Sequence, residues 1–103
     1  MSREQTLRRK AAELQKNRCY YCEFPVWELV LERLLLMVTL GITKSQAAQL
    51  RCTAEHLLPK SSGGLTNRAN IVAACRYCNK RRVGIWLALP PRIFADHVRG
   101  RIV

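Results

Sequence analysis

A chain of 103 residues with 18 Lys and Arg against 7 Asp and Glu, a formal net charge of +11, has material for one modest core. Its surface should attract polyanions, phosphate backbones first among them. The five cysteines do not read as an extracellular disulfide framework, because Met1 to Arg18 is polar and lacks an apolar leader segment; a reduced, cytoplasmic setting is expected instead. Val26 to Leu40, the most apolar stretch, carries Glu28, Glu32 and Arg33 and is too short to cross a bilayer, so no membrane partner is expected.

Ser2 followed by Gln5 has the form of a capping box, and Leu7, Ala11, Ala12 and Leu14 recur at helical spacing, which predicts a helix over residues 3–17. Pro25 suits a first helical position and Gly41 a stop, predicting a leucine-rich helix over 26–40 that should be the most buried one. Thr43 and Gln46 repeat the capping pattern ahead of a short helix over 44–50. These two helices resemble a helix-turn-helix in outline, but a hairpin that supplies core is the preferred reading, since the first helix is too apolar to lie on DNA. Residues 51–57 and 71–74 read as short strands around a polar loop centred on Gly63-Gly64, followed by a helix over 79–88 and an amphipathic helix over 91–99. The expected whole is a single α+β domain: an N-terminal helix, a helical insertion over 25–50, a strand-strand-helix core over 51–88 and a C-terminal helix.

Four of the five cysteines form two Cys-x-x-Cys pairs, Cys19 with Cys22 and Cys75 with Cys78. One such pair reaches an ion from one tight turn, and two pairs supply the four soft thiolates that tetrahedral zinc prefers. A redox role would need a thioredoxin-like pattern that is absent here, and four buried thiols without metal is the other alternative. Cys52 has no partner at ligand spacing and reads as a small buried residue. Tyr20, Tyr21 and Tyr77 should pack around the cysteine turns, Trp27 and Trp86 should be core, and His97 reads as a surface or packing histidine.

Thr53-Ala54-Glu55-His56-Leu57, then Gly63-Gly64, then Asn70-Ile71-Val72-Ala73-Ala74 running into Cys75-Arg76-Tyr77-Cys78-Asn79, resemble the HNH endonuclease family over residues 51–82, with Cys19 and Cys22 as an outlying zinc half-site. The resemblance implies a ββα-metal core with a structural Zn²⁺ on the four cysteines, and hydrolysis of DNA phosphodiester bonds. By position it implies that Glu55 is the acidic ligand of a catalytic Mg²⁺ or Mn²⁺, His56 the general base, Asn70 a support for the loop on the His56 side, and Asn79 the last metal-holding letter of the motif. A carboxylate and an amide oxygen suit a hard divalent cation, and an imidazole beside them can take a proton from water near neutral pH. Glu55 stands where the family more commonly has Asp. As strand neighbours, Glu55 and His56 should face opposite ways, so either the strand geometry breaks down there or the ion sits at a strand end. Lys60, Arg68, Arg76, Lys80, Arg81 and Arg82 lie in or beside this segment and are expected to contact phosphates. DNA is the expected partner with RNA as an alternative substrate, and the oligomeric state, a homodimer included, is left open. The competing function is a non-catalytic zinc-knuckle module that binds nucleic acid.

Overall fold

The first helix, α1 (Arg3–Leu14), opens with the reciprocal cap that the sequence announces: Gln5 N donates to Ser2 Oγ and Ser2 N to Gln5 Oε1. In this computed structural model, which describes residues 1–82 of the chain, α1 ends three residues short of the expected 17. Lys16 and Asn17 both take a left-handed conformation, at φ 57°, and turn the chain back over α1. Arg18 then pairs with Pro25 in an isolated antiparallel bridge, and Cys19 N donates to the Phe24 carbonyl at 2.8 Å. Cys19 to Cys22 therefore sit at the tip of a small hairpin.

The expected helix over 26–40 is corrected at both its start and its burial. Pro25 does not begin a helix. Trp27 forms a parallel bridge with Arg51 and its indole Nε1 donates to the Ala47 carbonyl at 2.7 Å, which keeps this stretch extended. The helix α2 runs Val30–Leu40, entered where Glu32 Oε1 accepts from the Glu28 and Leu29 amides. It holds no buried residue: Leu36 packs on the core, while Leu31, Leu35 and Val38 are 78, 66 and 82 % exposed. Eight of the eleven residues of Val30–Leu40 are apolar, more than one covered face can take, so composition is a poor guide to the burial of this helix. Arg33 folds back over the Trp27 ring, 5.6 Å from its centroid.

Gly41 closes α2 in the left-handed conformation at φ 63°, and the Thr43–Gln46 capping box starts α3 (Lys44–Ala48). Two strands follow, β1 (Cys52–His56) and β2 (Ile71–Cys75), paired antiparallel with Cys52 opposite Cys75 and His56 opposite Ile71. The last described helix, α4 (Arg76–Arg82), begins directly on β2, three residues earlier than the sequence predicts. Helix α1 lies against both strands and α4 against the same pair. The result is a mixed helix-and-strand fold whose centre is the β1-β2-α4 unit. Its core comprises Ala12, Val26, Trp27, Leu50, Ala73 and Ala74 together with all five cysteines and Tyr21. The expected 91–99 helix, Trp86 and His97 lie outside the described residues, as does the end of the expected 79–88 helix.

These packing differences have a direct consequence for stability. Trp27→Ala should cost about 3–5 kcal/mol in chemical unfolding, as expected for a buried indole that also loses a hydrogen bond, whereas Leu35→Gln should stay within about 0.5 kcal/mol of the parent. A large loss at Leu35 would show that α2 is packed against something in the folded chain.

Candidate metal centre and active site

The ligand atoms of Cys19, Cys22, Cys75 and Cys78 all lie within 4.8 Å of one another, and all four residues are buried. Cys22 Sγ and Cys75 Sγ are 3.8 Å apart; a tetrahedral zinc with bonds of about 2.3 Å to sulfur has edges of about 3.8 Å. Both turns are built alike, with Tyr21 N donating to Cys19 Sγ and Cys78 N to Cys75 Sγ, each at 3.4 Å. Thiols this close cannot ionise independently. Hydrogen bonds from Cys22, Cys75 and Cys78 hold Cys19 well below the ordinary thiol range, while the bond to Cys19 pushes Cys75 and Cys78 up. A dication coordinated by all four removes that conflict, and the soft donor set suits zinc. All five cysteines are free, so no disulfide competes. Cys52 stands apart with its thiol pushed up to about 12 by burial, as befits a packing residue.

The loop between the strands is held by one asparagine. Asn70 Oδ1 accepts from Leu58 N at 2.8 Å, and its Nδ2 donates to the carbonyls of Leu58 and Leu65 at 3.0 and 2.8 Å. A side-chain amide can offer both an acceptor and two donors, so one residue ties the entry of the loop to its exit. Gly64 is required at the crossing: a Cβ there would lie 1.7 Å from the Leu58 carbonyl oxygen. This clamp delivers His56, the last residue of β1, to the mouth of the loop, where its Nε2 lies 3.0 Å from Thr66 Oγ1. Regular pairing continues through His56 opposite Ile71, so the Glu55-His56 step sits at the end of an unbroken strand.

Glu55, one residue earlier, is only 9 % exposed and accepts a hydrogen bond from the Tyr21 hydroxyl at 3.3 Å. Asn79, one residue beyond Cys78, donates through Nδ2 to Thr53 Oγ1 at 2.9 Å and to the Ala54 carbonyl at 3.2 Å, and the Thr53 hydroxyl in turn donates a hydrogen bond to the Ala74 carbonyl at 2.7 Å. The donor end of the amide thus fastens α4 to β1. Its Oδ1 accepts no hydrogen bond among the described residues. Strand, clamped loop, strand and cysteine-headed helix now stand in one unit with the acid, imidazole and two amides at its edges.

Residues 43–83 match the HNH endonuclease family. No curated protein and no solved structure matches the chain. The HNH match begins at α3, takes in β1, the clamped loop, β2 and α4, and includes Cys75 and Cys78 but leaves Cys19 and Cys22 outside. The other half of the four-cysteine cluster therefore comes from the N-terminal hairpin. An HNH segment points to nucleic acids as the class of molecule on which this unit acts.

Of the basic side chains flagged around the HNH segment, Lys60, Arg68, Arg76, Lys80 and Arg81 are exposed, and the Arg82 side chain lies outside the described residues. Lys60 reaches Glu4 at 3.5 Å, a pair open enough to be of little energetic weight. The Arg81 guanidinium stacks 4.0 Å from the Tyr77 ring centroid. Sequence reasoning did not find three residues that shape the site. Tyr21, fully buried, joins the first cysteine turn to Glu55; Thr53 receives Asn79; and Gln15 pairs through Oε1 and Nε2 with both the N–H and the carbonyl of Ala73. The only advance sign was that a buried tyrosine in a metal turn must find a partner for its hydroxyl.

Because Asn70 makes three hydrogen bonds with the loop, Asn70→Ala should cost about 2–3 kcal/mol in chemical unfolding. Gly64→Ala should be at least as damaging, whereas Gly41→Ala, strained only by its φ of 63° with open space around it, should cost about 1–2 kcal/mol. Equal costs for the two glycines would contradict the close approach at Leu58.

Proposed function

We propose that this chain is a metal-dependent endonuclease that hydrolyses DNA phosphodiester bonds. The observation that carries the reading is the strand-end pair Glu55-His56, set beside an Asn70-clamped loop and an Asn79 whose amide oxygen is unengaged among the described residues, within the HNH-matching segment. A binding module has no chemical use for that combination.

Glu55 and Asn79 are the residues that would hold a catalytic Mg²⁺ or Mn²⁺, and their hard oxygens fit such an ion. The metal, when bound, supplies Lewis acidity toward the phosphate and the leaving oxygen. Tyr21 steadies the Glu55 carboxylate, and Thr53 with the Ala54 carbonyl fixes the amide plane of Asn79. His56 serves as the general base. In the tautomer whose Nε2–H donates to Thr66 Oγ1, 3.0 Å away, the lone pair lies on Nδ1, which takes the proton from the attacking water. The imidazolium so formed keeps its hydrogen bond to Thr66 throughout. Exposed cations around the unit bind the backbone without reading bases.

Purified protein should nick supercoiled plasmid DNA when Mg²⁺ or Mn²⁺ is added and leave it intact without divalent metal. His56→Ala should lower the rate by about 10²–10⁴, the usual contribution of a positioned base, while duplex binding is nearly unchanged. A parent protein that binds DNA but never cuts it, or a His56→Ala variant that cuts at full rate, would sink the reading.

A further inference from the structure

Arg51 and Arg76 stand at the open end of the two-stranded sheet, one residue before Cys52 and one after Cys75, which are themselves register partners. Arg76 N donates to the Arg51 carbonyl at 2.9 Å, so the two arginines adjoin just beyond the last register pair of the sheet. Both are exposed, and neither guanidinium has a carboxylate or carbonyl partner among the described residues. Two like charges held on adjoining residues repel. Arg76 is also the first residue of α4, the helix end at which the backbone dipole disfavours a cation. Two independent electrostatic costs thus fall on one pair, with no local compensation.

The pair opens into a cleft of about 350 Å³ between α1 and β1, lined by Gln5, Arg8, Thr53 and Ala54 as well as the two arginines. Glu4, the carboxylate in this lining, reaches Lys60, and Arg8 is held by Glu28 at 2.7 Å. Arg51 and Arg76 are therefore the cations left uncommitted there. Thr53 and Ala54 are also the two residues to which Asn79 is fastened, so the cleft adjoins the proposed catalytic unit along β1.

We propose that Arg51 and Arg76 clamp a backbone phosphate of the bound nucleic acid, in a cleft that leads along β1 toward Asn79. The clamp rests on the nuclease reading for its ligand, but it is a statement about binding and is tested as one. A phosphodiester between the two guanidiniums accepts charge-assisted hydrogen bonds from both and cancels their repulsion. Arginine at both positions suits this, because a planar fork presents paired donors that a lysine does not. The contact fixes where the strand lies and carries no sequence preference.

The test uses full-length His56→Ala protein, which does not consume its ligand, and a short labelled DNA duplex titrated across a salt series. Adding Arg51→Gln and Arg76→Gln should lower the slope of log affinity against log salt by about 0.9, the contribution of the one phosphate that the pair neutralises. The charge-matched control Lys16→Gln with Lys44→Gln, on exposed sites outside the cleft, should leave the slope unchanged. The cleft variant should also melt at or above the parent's temperature, since the like-charge repulsion and the cation at the start of α4 are both removed. Equal slope changes in the two variants, or a lowered melting temperature in the cleft variant, would overturn the clamp while leaving the nuclease reading standing. Failure of the parent protein to bind duplex at any salt would overturn both.

Discussion

Convergence of Cys19 and Cys22 on Cys75 and Cys78 joins two turns that are 53 residues apart at their closest pair, and little else in the fold could substitute for it. The described core is small and built largely from alanines and cysteines, with Trp27 and Tyr21 as its large members. Such a core buries limited apolar area, and a chain of this length leans on a metal to close its long loops. Four unbound thiols at this spacing would hold incompatible proton affinities. One soft dication would resolve that and lock the N-terminal hairpin against the β2–α4 junction.

From that lock the site follows step by step. The first cysteine turn carries Tyr21, and the Tyr21 hydroxyl reaches Glu55; the second turn is followed immediately by Asn79, and Asn79 reaches Thr53 and Ala54. Each half of the metal centre therefore positions one of the two oxygen donors proposed for catalysis. His56 depends on a different device, the Asn70 clamp with Gly64 at its crossing, which is independent of sulfur. Gln15 adds a third tie by completing the exposed backbone edge of β2 at Ala73. A metal on the four cysteines, together with the clamp, would make a preorganised unit out of elements that are individually too short to persist.

Much of this was legible from residues alone, for reasons that are local. Ser2–Gln5 and Thr43–Gln46 announce helix starts because a capping box is satisfied within one turn. The cysteine pairs announce a metal because a Cys-x-x-Cys turn is a self-contained ligand, and Asn70 was expected to steady the loop it does bind. What failed depended on long-range packing. Pro25 reads equally well as a helix start or as an extended residue, and the bridge from Trp27 to Arg51 decided for the latter. The leucines of α2 form no two-sided pattern, so nothing local told the exposed side from the covered one. Tyr21 and Glu55 are 34 residues apart, and no periodicity links them. The start of α4 at Arg76 was missed because the cysteine pair was read as a turn ahead of the helix, when its second member lies within the first helical turn.

The most direct test of this account is metal analysis of the purified chain coupled to thermal unfolding before and after chelation. One zinc per chain is expected, reduced in Cys22→Ser and in Cys75→Ser but retained in Cys52→Ala, with the cooperative transition disappearing when zinc is removed. A chain that holds no zinc, or that melts identically after its zinc has been stripped, would contradict the claim that a four-sulfur site organises the fold and everything built upon it.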